Sequence, residues 1–182
     1  GGRFRDVYRA GFLVQSGENS PTEFYREIDP ELYFDIISCQ FSLHYMFGSN
    51  QSVQNLFTNL TKKLVDQGLI ICTIPDSNVI VKRFRKHGKK IIDGDYIVGN
   101  KYYSMKMAEL NFPPNKIYGL KYLFYLEDAV GLKVQNGEEE PTITYVPEYL
   151  IEFQNFVKVA KDYGLEIVEE RNFLDFYKEN RE

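Results

Sequence analysis

The chain has no tryptophan, only two cysteines and only two histidines among its 182 residues. Cys39, Cys72, His44 and His87 do not fall at the paired spacings of zinc ligands, so no metal site is expected. Both cysteines lie inside apolar runs, which reads them as buried thiols in a reducing compartment. No run of about 18 apolar residues occurs, so nothing in the sequence is suited to span a membrane. The opening Gly1-Gly2-Arg3-Phe4-Arg5 leads into no apolar stretch of the signal-peptide kind. Positive charge is also short: Lys+Arg 22 against Asp+Glu 26 leaves a net charge of −4. That balance disfavours a broad basic face for nucleic acid but leaves room for one specific nucleotide pocket.

What the chain does have is apolar and aromatic mass. Hydrophobic residues make up 43%, with Tyr 14 and Phe 14, enough for a packed core and for flat surfaces that could stack on a base. Its length fits one domain. Gly11 to Gln15 reads as a short strand, and Ser16 to Pro30 as a loop or short helix. Tyr33 to Cys39 is nearly continuous apolar, the pattern of a strand covered on both faces. Val53, Leu56, Phe57, Leu60, Leu64 and Val65 share one helical stripe, and Gly68 stands where a helix would end. Leu69 to Ile74 is a second buried strand stopped by Pro75. Strand, helix and strand in this order predict a parallel α/β sheet.

Beyond Pro75 the character changes. Residues 78–86 read as a short helix running into the basic turn Arg85-Lys86-His87-Gly88-Lys89-Lys90. Residues 96–107 and 118–126 are β-rich and aromatic; Tyr118, Leu120, Tyr122, Phe124 and Leu126 alternate onto one face. Residues 134–142, with Glu138-Glu139-Glu140, read as a charged loop. Pro147 is expected to open a helix burying Leu150, Phe153, Val157 and Ala160, with Gly164 ending it and Leu165 to Val168 returning as a strand. An antiparallel segment is therefore expected inside the α/β layer.

Asp35-Ile36-Ile37-Ser38-Cys39-Gln40-Phe41-Ser42-Leu43-His44-Tyr45 resembles the central signature of the mRNA cap guanine-N7 methyltransferases, FD-hydrophobic-hydrophobic-S-x-QF-x-x-HY. Four more segments resemble that family in the same order. They are Leu64 to Ser77 with its T-x-P turn, Tyr122 to Asp128, Val146-Pro147-Glu148-Tyr149-Leu150, and Asn172 to Tyr177. The resemblance implies a class I (Rossmann-like) methyltransferase sheet, partial here, with an inserted antiparallel β subdomain. It implies an enzyme that moves a methyl group from S-adenosylmethionine to N7 of the guanine in the capped 5′ end of mRNA (GpppN). Work in the nucleus, RNA binding and association with other capping-machinery proteins would follow, with no membrane. Two family parts have no counterpart: the glycine-rich loop that cradles the donor and a terminal strand that adds an aromatic to the guanine pocket. Residues 1–182 are accordingly expected to be the C-terminal part of one cap methyltransferase domain.

Carried over position by position, the resemblance assigns the guanosine of the cap to His44, Glu148, Phe41, Tyr45 and Pro75. It assigns S-adenosylmethionine to Gln40, Tyr45 and Ser16, the last standing where the family has an adenine-contacting Asp. Independently, Gln40 to Tyr45 follow a buried strand, and ligands of open α/β sheets bind at the carboxyl ends of strands. His44 could instead be a core histidine, Phe41 plain packing, Glu148 a first-turn helix acid favoured by the macrodipole, and Pro75 a strand terminator. A carboxylate at 148 would match two adjacent donors, guanine N1–H and its exocyclic amine; adenine presents an acceptor at N1 instead. No general base is expected, because guanine N7 carries a free lone pair and no proton.

Two rival readings use the same residues. A non-catalytic methyltransferase-like module regulating capping would explain the missing glycine-rich loop. A small-molecule methyltransferase would have no use for the Val146-Pro147-Glu148 segment. A D-x-G-x-G-like segment upstream would mark the enzyme. Because that loop makes the main backbone contacts to the donor, residues 1–182 alone should show no methyl transfer and only weak donor binding. Calorimetry with S-adenosylmethionine checks this; micromolar affinity would contradict it.

Overall fold

The computed structural model describes residues 16–26, 28–113, 115–135, 137 and 141–181. The strand expected over Gly11–Gln15 and the acidic run Glu138-Glu139-Glu140 lie outside the described residues. The fold is α/β. A short helix, α1 (Pro21–Phe24), precedes strand β1 (Phe34–Cys39), a one-turn 3₁₀ helix (Leu43–Met46), helix α2 (Asn50–Thr61) and strand β2 (Leu64–Cys72). β1 and β2 pair in parallel, with α2 as the crossover. Ser49 caps α2 by accepting from the Ser52 N–H at 3.1 Å. Val53, Leu56, Phe57 and Leu60 of α2 pack with Leu43, Phe47, Ile151, Phe156 and Ala160 into the first core.

The α2 stripe is shorter than its periodicity suggests. Lys63 is buried, its ammonium held by the Pro30 carbonyl and 4.6 Å from the Tyr33 ring centre. The Phe34 N–H then takes the Lys63 carbonyl at 2.7 Å, which draws the backbone out of the helix and into the sheet. Leu64 and Val65 therefore belong to β2, and Gly68 is no helix terminator. It sits in a bulge where the register jumps from Phe34–Leu64 to Ile36–Leu69. There a Cβ would lie 2.9 Å from the Val65 carbonyl oxygen. β1 is also covered on one face only among the described residues. Ile37, Cys39, Ile70 and Cys72 face the first core, while Ile36, Leu69 and Ile71 are exposed. Cys39 and Cys72 are free, paired across the two strands and half-buried rather than buried.

After Pro75 comes α3 (Ser77–His87), capped by Asp76. Strands β3 (Lys89–Lys90), β4 (Tyr96–Gly99), β5 (Tyr103–Met107), β6 (Lys121–Leu126), β7 (Leu132–Val134), β8 (Thr142–Thr144) and β9 (Val146–Tyr149) follow. A wholly antiparallel sheet has the order β3-β4-β5-β6-β9, and β7 and β8 form a separate hairpin. Ile80 and Phe84 of α3 pack with Val98, Met105, Met107, Leu120, Tyr122 and Leu150 into a second core. The alternation expected over 118–126 holds for Leu120, Tyr122 and Phe124; Tyr118 joins the first core instead, and Tyr125 is buried on the opposite face.

Pro147 opens no helix. It lies in edge strand β9, opposite Leu123. The Leu150 N–H bonds the Leu120 carbonyl at 2.8 Å, so the alternate pair Tyr122–Glu148 faces inward and the missing N–H of Pro147 points away from the ladder. The helix begins later, as α4 (Phe153–Asp162), with Glu152 accepting from the N–H groups of Gln154 and Asn155 at 3.1 and 2.9 Å. Residues 165–168 pair with no strand among the described residues, and α5 (Phe173–Asn180) is exposed throughout. No described helix is long and apolar enough to cross a membrane.

Phe57 is 1% exposed and sits between the rings of Phe156 and Tyr163, with centroids at 5.7 and 5.3 Å. Phe57→Ala in the full-length protein should cost about 3–5 kcal/mol of stability, measured by urea unfolding.

Candidate functional site

The carboxyl end of β1 turns sharply. Phe41 has φ 52, a left-handed conformation that an aromatic residue rarely adopts and that costs about 1–3 kcal/mol. Its N–H is fixed by the Thr73 hydroxyl, which accepts at 2.7 Å from just beyond β2. The turn sends Leu43, His44, Met46 and Phe47 into the interior. Gln40 stays exposed, its amide donating to Ser38 Oγ at 3.1 Å and to the Ile71 carbonyl at 3.2 Å.

Where the 3₁₀ turn meets the edge of the antiparallel sheet, four side chains converge. Glu148, 3% exposed, accepts from the Tyr45 hydroxyl on Oε1 at 2.9 Å and from the Tyr122 hydroxyl on Oε2. His44 Nε2 lies 3.4 Å from Glu148 Oε1, within ion-pair distance but outside hydrogen-bond geometry, and neither ring nitrogen of this buried histidine has a hydrogen-bond partner. The His44 and Tyr45 rings lie with centroids 4.4 Å apart. Tyr45 is half-buried and is the member of the group that reaches solvent.

Burial pushes the Glu148 carboxyl upward, but His44, Tyr122 and Tyr45 together outweigh it and hold the group below the ordinary carboxylate value. Tyr45 is pushed up to about 12, first by burial and then by donating to Glu148. Tyr122 is raised further for the same reasons. At neutral pH the site is thus an ionised carboxylate held by two protonated phenols and flanked by His44. A carboxylate has about four acceptor positions, so two remain for a ligand's donors.

His44, Tyr45 and Glu148 come together, although Glu148 rides on a strand rather than in the first turn of a helix. Tyr122 completes the group and was missed as a site residue: it belongs to the Tyr122–Asp128 segment, but only the cross-strand register puts it opposite Glu148. Phe41 points elsewhere. It is 64% exposed, with its ring centre 6.0 Å from that of Phe173. Pro75 lies half-buried between β2 and α3. Ser16, exposed, begins the turn closed by the Asn19 N–H on its carbonyl at 3.1 Å. Among the described residues no three His, Cys, Asp or Glu side chains are grouped to hold a metal ion.

A polar cluster at the carboxyl end of a parallel strand pair marks the class of α/β ligand-binding domains. More narrowly, the chain belongs to the mRNA (guanine-N(7))-methyltransferase domain family, whose family model matches residues 4–182. It is 39% identical over 151 residues to the mRNA cap guanine-N(7) methyltransferase of Schizosaccharomyces pombe, covering 81% of this chain and 37% of that protein. With mRNA cap guanine-N(7) methyltransferase 1 of Oryza sativa subsp. japonica it shares 35% over 157 residues, covering 84% and 38%. The chain therefore spans less than two-fifths of these relatives. A solved S-adenosylmethionine-dependent methyltransferase from Clostridium acetobutylicum aligns with TM-score 0.49 and 17% identity, over 86% of this chain and 54% of that one.

Because the folded value of Glu148 is depressed, its ionised form stabilises the fold above the ordinary carboxylate range, and that stability is lost as pH falls through the depressed value. Tyr122→Phe removes one donor and should move the acid-unfolding midpoint of the full-length protein to higher pH. Melting curves between about pH 3 and 7 test this across the carboxylate range; an unchanged acid limb would show that Tyr122 does not hold the charge.

Proposed function

We infer that the protein to which this chain belongs transfers a methyl group from S-adenosylmethionine to N7 of the guanine in the mRNA cap. The observation that carries this reading is the buried Glu148 carboxylate, ionised and left with two acceptor positions. Guanine N1–H and the exocyclic amine are two parallel donors that would fill them. Adenine would leave the carboxylate facing an acceptor, and sites built on such pairing reject the wrong partner by about 10⁴-fold. His44, with both nitrogens free of hydrogen bonds, is suited to contact the same base, and Tyr45 to stand between the base and the methyl donor. Pro75 would wall the guanine side, whereas Phe41, turned toward Phe173, would not.

S-adenosylmethionine supplies a methyl group already activated on sulfur. The residues present fit one side of it. Gln40 spends its amide N–H groups on Ser38 and Ile71, which leaves its amide oxygen as an acceptor for a nucleoside N–H or hydroxyl. Ser16 offers a hydroxyl to the adenine in place of a carboxylate. The chain's task is then positioning, which can contribute about 7–11 kcal/mol. Positive charge grows on the guanine as the methyl arrives, so a carboxylate on its N1–H edge binds the transition state better than the ground state. Residues 1–182 would form the C-terminal part of this domain, acting in the nucleus on capped transcripts beside other capping proteins.

Transfer of labelled methyl from S-adenosylmethionine to GpppA by the full-length protein tests the activity directly. Glu148→Gln keeps the size but removes the charge and turns an N–H toward guanine's own donors. Turnover at saturating GpppA should fall at least about 10-fold, equal to about 1.4 kcal/mol of barrier. A higher KM with unchanged turnover would leave Glu148 a binding residue only.

A further inference from the structure

Six cationic residues fall between positions 82 and 90: Lys82, Arg83, Arg85, Lys86, Lys89 and Lys90, with no carboxylate among them, in a chain whose net charge is −4. Among the described residues none of the six forms an ion pair. The exposed side of α3 carries a groove of roughly 380 Å³ lined by Asn78, Val81, Lys82, Arg85 and Lys86. Its opposite side buries Ile80 and Phe84 in the same core as Tyr122, the residue that donates to Glu148. α3 packs chiefly on β4, three strands along the sheet from β9, which carries Glu148, so the basic groove stands over the same antiparallel sheet as the candidate guanine site but apart from it.

Through Arg83, which follows Lys82 on α3, the helix meets the β4–β5 hairpin, whose tip is aromatic. Arg83 donates to the Tyr103 hydroxyl, and neighbouring Tyr102 is 52% exposed with the Lys101 ammonium 4.5 Å from its ring centre. Arg85 gives one N–H to the Leu110 carbonyl at 3.2 Å and keeps its other donors. Cations along a groove with an exposed aromatic beside it are the combination that holds single-stranded nucleic acid, by phosphate contacts and base stacking.

We propose that this α3 groove binds the phosphate chain of the transcript downstream of the cap, as single-stranded RNA. The proposal rests on the cap reading only for the identity of the strand. An acidic protein segment would match the charge but gives no role to the exposed Tyr102.

The test measures binding of an uncapped, fluorescein-labelled single-stranded RNA about 20 nucleotides long to the full-length protein by anisotropy across a salt series. Lys82→Ala, Arg85→Ala and Lys86→Ala combined should weaken binding at least 10-fold at low salt. They should reduce the slope of log K against log salt by about 2, at about 0.7 per phosphate contact. Methylation of GpppA should be unaffected, and the charge-keeping triple Lys82→Arg, Arg85→Lys, Lys86→Arg should bind like the wild type. Unchanged affinity and slope overturn the proposal, as does equal loss in the charge-keeping triple. A polyglutamate peptide that competes as well as RNA overturns it in favour of an acidic partner. If the wild type fails to methylate GpppA, the cap activity falls, while the RNA arm still decides the groove.

Discussion

A carboxylate buried among aromatic side chains is unstable unless its charge is answered, and at Glu148 the answer comes from two different parts of the fold. Tyr45 reaches it from the 3₁₀ turn after the parallel strand β1, and Tyr122 from the antiparallel sheet. Removing either donor would leave part of a buried charge unsatisfied, a loss larger than that of an ordinary hydrogen bond. The junction is reinforced by backbone: the Gly119 N–H, just before β6, donates to the Phe47 carbonyl at 2.9 Å. The ionised Glu148 is thus one of the ties that fix the parallel pair against the antiparallel sheet. A ligand that adds donors to that carboxylate would tighten the same joint.

Edge strand β9 is what delivers Glu148 to this joint. In a strand successive side chains alternate, so fixing the ladder fixes which residues face inward. Pro147 cannot donate to a neighbouring strand, which suits it to an outward position on the edge and discourages further pairing on that side. Had Pro147 begun a helix, Glu148 would have pointed along a first turn with its charge answered by N–H groups. On the strand it is answered by phenols, whose hydroxyls donate without carrying charge, with the His44 ring alongside.

Much of this was legible in local pattern. The apolar runs at 34–39 and 69–72 are the parallel strands, the stripe from Val53 to Leu60 is α2, and the helix after Pro75 is α3. Where reading failed, the deciding partner lay far along the chain. Lys63 ends α2 because its carbonyl is taken by Phe34. Pro147 suits a helix start and an edge strand equally, and only the register with β6 distinguishes them. Tyr122 is invisible as a site residue from its own strand, since its hydroxyl partner is 26 positions away. Phe41 shows the converse: three positions from His44, it faces away from it because one left-handed residue turns the backbone.

Under the proposed function the distribution of charge has a single logic. A capped RNA offers donors on the guanine edge and acceptors along its phosphates, so one ligand asks for opposite charges at two places. The chain, with a net charge of −4, separates them: a buried carboxylate among Tyr45, Tyr122 and His44, where its interactions are strong, and cations on the solvent face of α3 that form no ion pair among the described residues, where salt screens them. Under the proposed function burial would suit the first, because guanine would be told from adenine by the pairing of donors. Exposure would suit the proposed phosphate contacts, because a phosphate chain carries no sequence to be read. The fold keeps the two apart on one sheet: α3 packs on β4, while Glu148 rides on β9 at the far edge, beyond β5 and β6.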